Sequence, residues 1–171
     1  MKTANMNKND KELQVKVHSA MYTLVKDKGV ASPVEVLIAI GALSKDDYER
    51  WRRGGVDFLE RSCKMNLRKL SLVAREIRAY ARKHDLKPSW TDYRRWKSKP
   101  GKDAPDIRLR FSKSDDEGIE RQYTTHYVGA NKISEAKAKR ESQQDKTVSN
   151  DKTVPNTKMN EPISTKSPEC S

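Results

Sequence analysis

Apolar side chains recur at intervals of three and four residues along most of this chain, which is the spacing of an amphipathic helix. One such stripe stops at Gly29, a residue type that commonly ends helices, and consists of Leu13, Val17, Ala20, Met21, Leu24 and Val25. A second stripe predicts the longest helix, from about Lys64 to His84, and consists of Leu70, Val73, Ala74, Ile77, Tyr80 and Ala81. A fold built mainly from helices follows from this spacing.

Four positions carry a Ser followed three residues later by a carboxylate, the capping-box pattern that starts helices. The hydroxyl and the acid satisfy backbone N–H groups that the first helical turn leaves without partners. Pro33 stands at the first helical position of the first box, where its fixed φ fits. The predicted starts pair Ser32 with Glu35, Ser44 with Asp47, Ser89 with Asp92, and Ser114 with Glu117.

The pattern changes to alternation between residues 107 and 111. Ile107, Leu109 and Phe111 alternate with two arginines, as the residues of a half-buried strand do. Because one isolated strand is marginal, this segment requires a hairpin or an edge partner. The predicted fold class is therefore all-α, or mainly α with one short strand or hairpin near 107–112.

Composition divides the chain into one compact helical domain and two tails. Residues 131–171 contain no aromatic residue, ten Ser or Thr and three Pro, so they cannot bury enough apolar surface to offset the entropy of ordering them. We expect a disordered N-terminus over 1–11, a helical domain over 12–129 and a disordered low-complexity tail over 130–171. No run of about 18 apolar residues occurs, which predicts a cytoplasmic protein that does not span a membrane.

Positive charge is concentrated in residues 50–102. This segment holds seventeen Lys or Arg and five acids, a balance of +12 that equals the formal net charge of the whole chain. Such a balance favours a polyanionic partner. Five of the cations step along one face of the predicted long helix, opposite its apolar stripe, over about 27 Å. They are Lys64, Arg68, Arg75, Arg78 and Arg82.

This row of cations has two interpretations. Arginine forks pair bidentately with phosphate oxygens, so the row could follow a nucleic-acid backbone and release counterions from it. Charges also usually occupy the solvated face of a helix, and the row could be no more than that. Glu76 is the only acid that interrupts it, which leaves few partners for intrahelical ion pairs.

Downstream of the row, aromatic residues alternate with cations. Trp90, Tyr93 and Trp96 are interleaved with Arg94, Arg95 and Lys97. Bases of single-stranded nucleic acid can stack on such rings. The three rings also step by three residues, so a short helix could direct all of them into the core, and this is the interpretation that we favour.

Residues 32–56, SPVEVLIAIGALSKDDYERWRRGGV, resemble the helix-turn-helix of the excisionase and MerR-type families. The resemblance implies a first helix with Glu35, Val36 and Ile40, a turn at Gly41, and a recognition helix over 44–53. In that helix Ser44 would be the cap, Tyr48 and Trp51 would face inward, and Gly54 or Gly55 with Val56 would form the exit. Lys45, Arg52 and Arg53 would then contact DNA.

A second resemblance concerns residues 109–114 (LRFSKS) and 123–128 (YTTHYV). Both segments look like parts of small uncharacterised bacterial proteins, which implies a bacterial or mobile-element source.

These features predict a nucleic-acid-binding protein rather than an enzyme. The preferred partner is duplex DNA, bound by the basic helix face and the helix-turn-helix-like unit, as by an accessory or regulatory factor of a bacterial mobile element. The alternatives are an adaptor that docks an acidic protein partner and, third, an RNA or single-strand binder. We expect no catalytic residue, metal or cofactor, because His18, His84 and His126 are scattered and Cys63 and Cys170 lie far apart.

Overall fold

The computed structural model describes residues 7–96 and 106–148, with side chains through residue 139. Its strands are β1 (Val30–Ala31), β2 (Lys87–Trp90) and β3 (Thr125–Val128), and a short 3-10 helix covers Leu59–Ser62. Its α-helices are α1 (Lys8–Lys28), α2 (Pro33–Ala39), α3 (Lys45–Arg52), α4 (Leu67–Lys83), α5 (Glu117–Thr124) and α6 (Ala130–Val148). The predicted mainly helical fold class is confirmed.

Local signals fix the ends of the first three helices. Gly29 ends α1 with a φ of 70°, in the left-handed region that glycine adopts without strain, and its N–H donates to the Val25 carbonyl at 2.9 Å. The Ser32 hydroxyl accepts from the Glu35 N–H at 3.1 Å. The Ser44 hydroxyl accepts from the Asp47 N–H at the same distance. The first two predicted capping boxes are therefore confirmed.

The other two predicted helix starts are wrong. Ser89 lies in β2, where pairing with β3 satisfies the backbone and leaves no helix to cap. α5 is capped by Asp116, whose side chain accepts from the Ile119 N–H at 3.0 Å, two residues beyond Ser114. Tertiary pairing overrides the local pattern in the first case, and a neighbouring acid takes the same role in the second.

Helix lengths also differ from the prediction. α1 has 21 residues and begins at Lys8, so residues 8–11 are helical, and buried Asp10 ties them to the body of the molecule. α4 has 17 residues and begins only after Asn66, which caps the Lys69 N–H at 3.0 Å. It is therefore shorter than α1. Lys64 precedes α4, and its N–H donates to the Ala42 carbonyl at 2.8 Å.

The chain divides into two units, residues 1–136 and 137–171. α6 begins in the first unit, and residues 130–148 are helical where the sequence predicted a disordered tail. Residues 149–171 lie outside the described part of the chain. In the part that is described, no helix combines the length and the hydropathy needed to cross a membrane.

The three strands form one antiparallel sheet in the first unit, in the order β1-β3-β2. β3 is central, so β2 is an edge strand, and all four of its residues are exposed. Pro88 is tolerated there because an edge strand leaves one row of backbone groups without a partner strand. The sheet lies outside the region near 107–112 for which the sequence predicted a strand.

Residues 107–111 are extended but form only isolated bridges, one of them antiparallel between Arg108 and Arg94. The expected alternation holds at its centre, because Leu109 and Phe111 are buried. Buried Glu120 substitutes for a partner strand by accepting from the N–H groups of Phe111 and Ser112, at 2.8 to 3.1 Å. A side chain that is distant in sequence therefore satisfies this backbone.

The core lies between α1, α4 and the aromatic residues that surround α3. α1 packs along α4, which buries Val17 and Met21 on one side and Val73 and Ile77 on the other. Trp51 of α3 is fully buried. Its ring centroid lies 5.0 Å from that of Phe111, and its indole N–H donates to the Arg110 carbonyl at 2.9 Å.

Candidate nucleic-acid interface

Helix α4 presents an arginine face to solvent. Its buried residues pack against α1, whereas the arginines occupy an arc of about 80° on the opposite side. The row extends about 21 Å, since each helical residue rises about 1.5 Å. The four exposed residues that we call the arginine face are Arg68, Arg75, Arg78 and Arg82.

The two ends of the arginine face differ in their acidic partners. Arg68 donates to both carboxylate oxygens of Asp10, at 2.6 and 3.4 Å. Arg75 lies 3.4 Å from Glu76 Oε1. Among the residues that the structure describes, no acid pairs with Arg78 or Arg82. The end of the face nearest the C-terminus of α4 therefore carries charge that no acid of the described chain neutralises.

The single acid of α4 points towards α1. Glu76 is 5% exposed and accepts from Gln14 Nε2 at 2.8 Å, and its Oε2 lies 3.3 Å from His18 Nε2. Both partners belong to α1. Glu76 Oε1 lies 3.4 Å from Arg75, so Glu76 offsets one arginine from beside the face. It does not stand within the arginine face, although its position in the sequence had suggested that it would. Lys64 is exposed but lies before the helix, so it does not continue the row.

The sheet adjoins the unpaired end of the arginine face. Burial raises the pKa of Tyr127 in β3, while the charges of Arg78 and Arg82 act in the opposite direction. Both guanidinium groups therefore lie close enough to the Tyr127 phenol to influence its ionisation. Pro88 of β2 lies opposite Tyr127 in the register.

Residues 90–96 do not form the short core helix that we favoured from their spacing. Of the three aromatic residues only Tyr93 is buried, whereas Trp90 is 60% and Trp96 39% exposed. The segment is extended after β2, and its backbone pairs with residues 107–109. The Tyr93 carbonyl accepts from the Leu109 N–H at 2.9 Å, for example. In this extended segment Tyr93 is buried and residues 94–96 are exposed, whereas a helix with a three-residue step would direct all three rings to one side.

The cations near α3 are engaged within the molecule. Arg52 lies against three aromatic rings, with its guanidinium carbon 5.9, 5.2 and 5.0 Å from the ring centroids of Tyr48, Tyr93 and Trp96. Arg53 pairs with Glu49 at 2.9 Å. Each of these contacts holds a cation that the resemblance assigned to DNA.

Two further predicted contacts also have partners in the chain. Arg94 lies between Asp92 and Asp106, at 2.6 and 2.8 Å. Arg95 Nε donates to the Arg53 carbonyl at 2.9 Å, close against Gly54. The backbone φ of 80° at Gly54 lies in the left-handed region that favours glycine, and a Cβ there would lie 2.7 Å from Arg95 Nε and displace that side chain. Lys97 lies outside the described residues.

Helix α3 itself is balanced in charge. Lys45 is exposed at its first turn, but Asp46 and Asp47 follow directly. Asp47 also pairs with Arg50 at 2.8 Å. The acids stabilise the N-terminus of the helix through its dipole, and they place negative charge where a recognition helix would approach phosphates.

A cavity of about 620 Å³ lies between α1, α2, α3 and β3. Several of the polar side chains that line it form hydrogen bonds with one another. Glu35 accepts from Lys28 at 2.6 Å and from the Ser32 hydroxyl at 3.1 Å, and the Tyr93 hydroxyl lies 2.9 Å from His126 Nε2. Burial lowers the pKa of His126, which the nearby Glu35 charge partly offsets, and burial raises that of Tyr93 to about 12. The cavity wall therefore carries two hydrogen-bonded sets, Lys28–Glu35–Ser32 and Tyr93–His126, and burial favours the neutral imidazole of His126.

The sequence analysis missed the Tyr93–His126 hydrogen bond, because it treated His126 as one of three scattered histidines. Its partner Tyr93 is 33 positions away, so no local spacing marks the pair. Across residues 7–96 and 106–148, no cluster of His, Cys, Asp or Glu could hold a metal ion. Comparisons of the chain with protein-family models, with curated protein sequences and with solved structures found no match.

Proposed function

We propose that this protein binds nucleic acid by its phosphate backbone, through the arginine face of α4. The observation that carries the proposal is the exposure of Arg78 and Arg82, which have no acidic partner within the described chain. A guanidinium fork matches two phosphate oxygens, and each phosphate that it neutralises releases condensed counterions. An exposed helix with several such forks and no outward-facing acid is suited to this role.

The helix-turn-helix-like unit has a smaller part in this proposal. Arg52 and Arg53 are engaged within the chain, and the acids of α3 would oppose a close approach to DNA. Contacts to phosphates position a protein but do not read sequence. We therefore expect binding with little sequence preference. Duplex DNA is the first substrate to test, since the resemblance of residues 32–56 favours it.

The test is a fluorescence anisotropy titration of a labelled duplex at several salt concentrations. Each neutralised phosphate contributes about −0.9 to the slope of log K against log salt, so three or four contacts predict a slope of about −3. The variant Arg78→Glu, Arg82→Glu should bind roughly 30-fold more weakly, since two lost contacts of about 1 kcal/mol each correspond to that factor. Its slope should also be shallower by about two.

The matched control is Lys45→Glu, Arg53→Glu, which changes the net charge equally but on α3. We expect it to bind within about threefold of the wild-type chain, because exposed charges separated from the contact are screened by salt. Circular dichroism verifies that both variants remain helical. Absence of binding at low salt, or a flat salt dependence, would refute the proposal. An equal loss in the control would show that net charge, and not the arginine face, is responsible.

A further inference from the structure

Trp90 exposes a large aromatic ring on the strand that follows α4 in the chain. It is the last residue of the edge strand β2 and is 60% exposed, although tryptophan is among the side chains that are most buried on average. It is the most exposed of the three aromatic residues that alternate with cations, since Tyr93 is buried and Trp96 is 39% exposed.

The register of the sheet sets the face from which Trp90 projects, and the chain connection sets the position of β2 relative to α4. Trp90 lies opposite Thr125, and Pro88 lies opposite Tyr127. Residues two apart on a strand share a face, as do residues directly opposite each other, so Trp90 projects from the same face as Tyr127. It lies about 7 Å along the strand from Pro88. β2 starts four residues after α4 ends, and the Leu86 N–H donates to the Ala81 carbonyl at 2.9 Å, so the strand begins beside the last turns of α4, which carry Arg82. The charges of Arg78 and Arg82 also act on the Tyr127 phenol, on the face that Trp90 shares.

Trp96 does not offer a comparable surface. Its ring stands edge-on to Tyr48, with centroids 6.0 Å apart, and the Arg52 guanidinium carbon lies 5.0 Å from its centroid. One side of the Trp96 ring is therefore already occupied by a cation. Within residues 7–96 and 106–139, no ring or cation contact of this kind involves Trp90.

We propose that Trp90 stacks on an unpaired base whose flanking phosphates bind Arg78 and Arg82, so that the preferred ligand is nucleic acid with a single-stranded segment. This inference rests on the proposed function and specifies the substrate class of the same face. In a duplex both faces of a base are stacked on neighbouring bases, whereas in a single strand a face is free. Base stacking on an aromatic ring combined with a cationic track is the usual mode of single-strand binding.

The experiment compares three labelled probes: a blunt duplex, the same duplex with a tail of about ten unpaired thymidines, and the single strand alone. We expect the wild-type chain to bind the tailed and single-stranded probes roughly tenfold more tightly than the blunt duplex. Trp90→Ala should remove this preference and leave the blunt duplex unchanged. Trp90→Phe, which retains an aromatic face, should keep most of the preference.

Trp96→Ala is the matched control, because Trp96 is the other partly exposed tryptophan, at 39%, but packs on Tyr48 and Arg52 at the α3 side of the molecule. It should bind all three probes like the wild-type chain. A second measurement is tryptophan emission: the single strand should quench the wild-type chain more strongly than Trp90→Phe. Stacking would account for that difference, whereas a purely structural role of Trp90 would not produce it.

The outcomes separate this inference from the function on which it rests. If Trp90→Ala binds tailed and single-stranded probes like the wild-type chain, while Arg78→Glu, Arg82→Glu loses binding, stacking is wrong and phosphate binding stands. If Trp90→Ala weakens all three probes equally, Trp90 is a general contact and the single-strand inference is wrong. If the wild-type chain binds no probe at low salt, both proposals fail.

Discussion

Helices α3 and α4 resemble each other in sequence character but differ in how the fold uses them. Each combines an apolar side with several cations. α3 has three cations and three acids within Lys45–Arg52, whereas α4 has six cations and one acid within Leu67–Lys83. In α3 Arg50 pairs with an acid and Arg52 packs on aromatic rings, and in α4 the only acid points inward.

The difference shows that the segment with a recognisable motif need not be the segment that carries the exposed positive charge. The residues that resemble a helix-turn-helix supply a buried tryptophan and two capped helices to the core. α4, which carries no recognised motif, supplies the exposed arginines Arg78 and Arg82, which have no acidic partner in the described chain. The surface potential of a helix depends on which of its charges lack partners. A count of cations along the sequence therefore overestimates the positive potential at α3 and gives a better account of that at α4.

The largest expected effect tests whether α3 is chiefly structural. Trp51→Ala should lower the free energy of unfolding by about 3–5 kcal/mol, because it leaves a cavity beside Phe111 and removes the hydrogen bond to the Arg110 carbonyl. Trp90→Ala should change it by no more than about 0.5 kcal/mol, since that ring is exposed. Urea unfolding followed by circular dichroism measures both.

Trp51→Phe provides an intermediate case in the event that the alanine variant does not fold. It retains an aromatic ring but lacks the indole N–H, so its loss should be smaller than that of Trp51→Ala. Equal stability of Trp51→Ala and Trp90→Ala would contradict the assignment of α3 to the core.

A smaller effect tests whether α3 approaches the ligand. Asp46→Asn, Glu49→Gln removes two negative charges from α3 without changing side-chain shape. If α4 alone contacts phosphates, affinity for the duplex should rise by no more than about threefold, through long-range attraction that salt screens. A gain of about tenfold or more that persists at high salt would place α3 at the interface and restore the recognition-helix interpretation. Anisotropy titrations at two salt concentrations distinguish these results.

The smallest expected effect is a pH dependence of the free energy of unfolding, which arises from His126 in the cavity beside α3. Burial lowers the pKa of His126, so the folded state holds the neutral imidazole. When pH falls through the ordinary histidine range, the unfolded state binds more protons than the folded state, and the free energy of unfolding falls. Unfolding of the wild-type chain should therefore be easier at about pH 5.5 than at about pH 7.5.

His126→Gln isolates this contribution. The variant should lose less stability over the same pH interval, and the other titrating groups are common to both chains. Duplex binding should not follow the same pH dependence, because arginine does not titrate in this range. Identical stability profiles of the two chains would show that His126 contributes nothing.

Much of the helical architecture could be predicted because its causes are local. The stripe from Leu13 to Val25, the stop at Gly29 and the capping boxes at Ser32 and Ser44 all act within one or two helical turns. The box at Ser89 failed, because pairing of β2 with β3 joins residues that are far apart in sequence. Such pairing depends on tertiary contacts that no local pattern contains.

The candidate interface was predictable in part for the same reason. The arginine face follows from helical periodicity and the position of the apolar stripe, although Lys64 lies outside the helix and Arg68 is held by Asp10. The exposure of Trp90 was not predictable, because a three-residue step fits a core helix equally well. Only the edge position of β2 leaves that ring in solvent.

The sequence by itself determined that the fold is mainly helical, where α2 and α3 start, and that the excess positive charge lies within residues 50–102. Those properties arise from neighbours along the chain, where hydrogen bonding and periodicity act over a few residues. The tertiary structure decided which cations keep an unbalanced charge and which aromatic rings stay exposed. Both properties depend on residues that are distant in sequence and close in the fold. Examples are the hydrogen bond between Glu76 and Gln14 and the cation–π contact between Arg52 and Trp96.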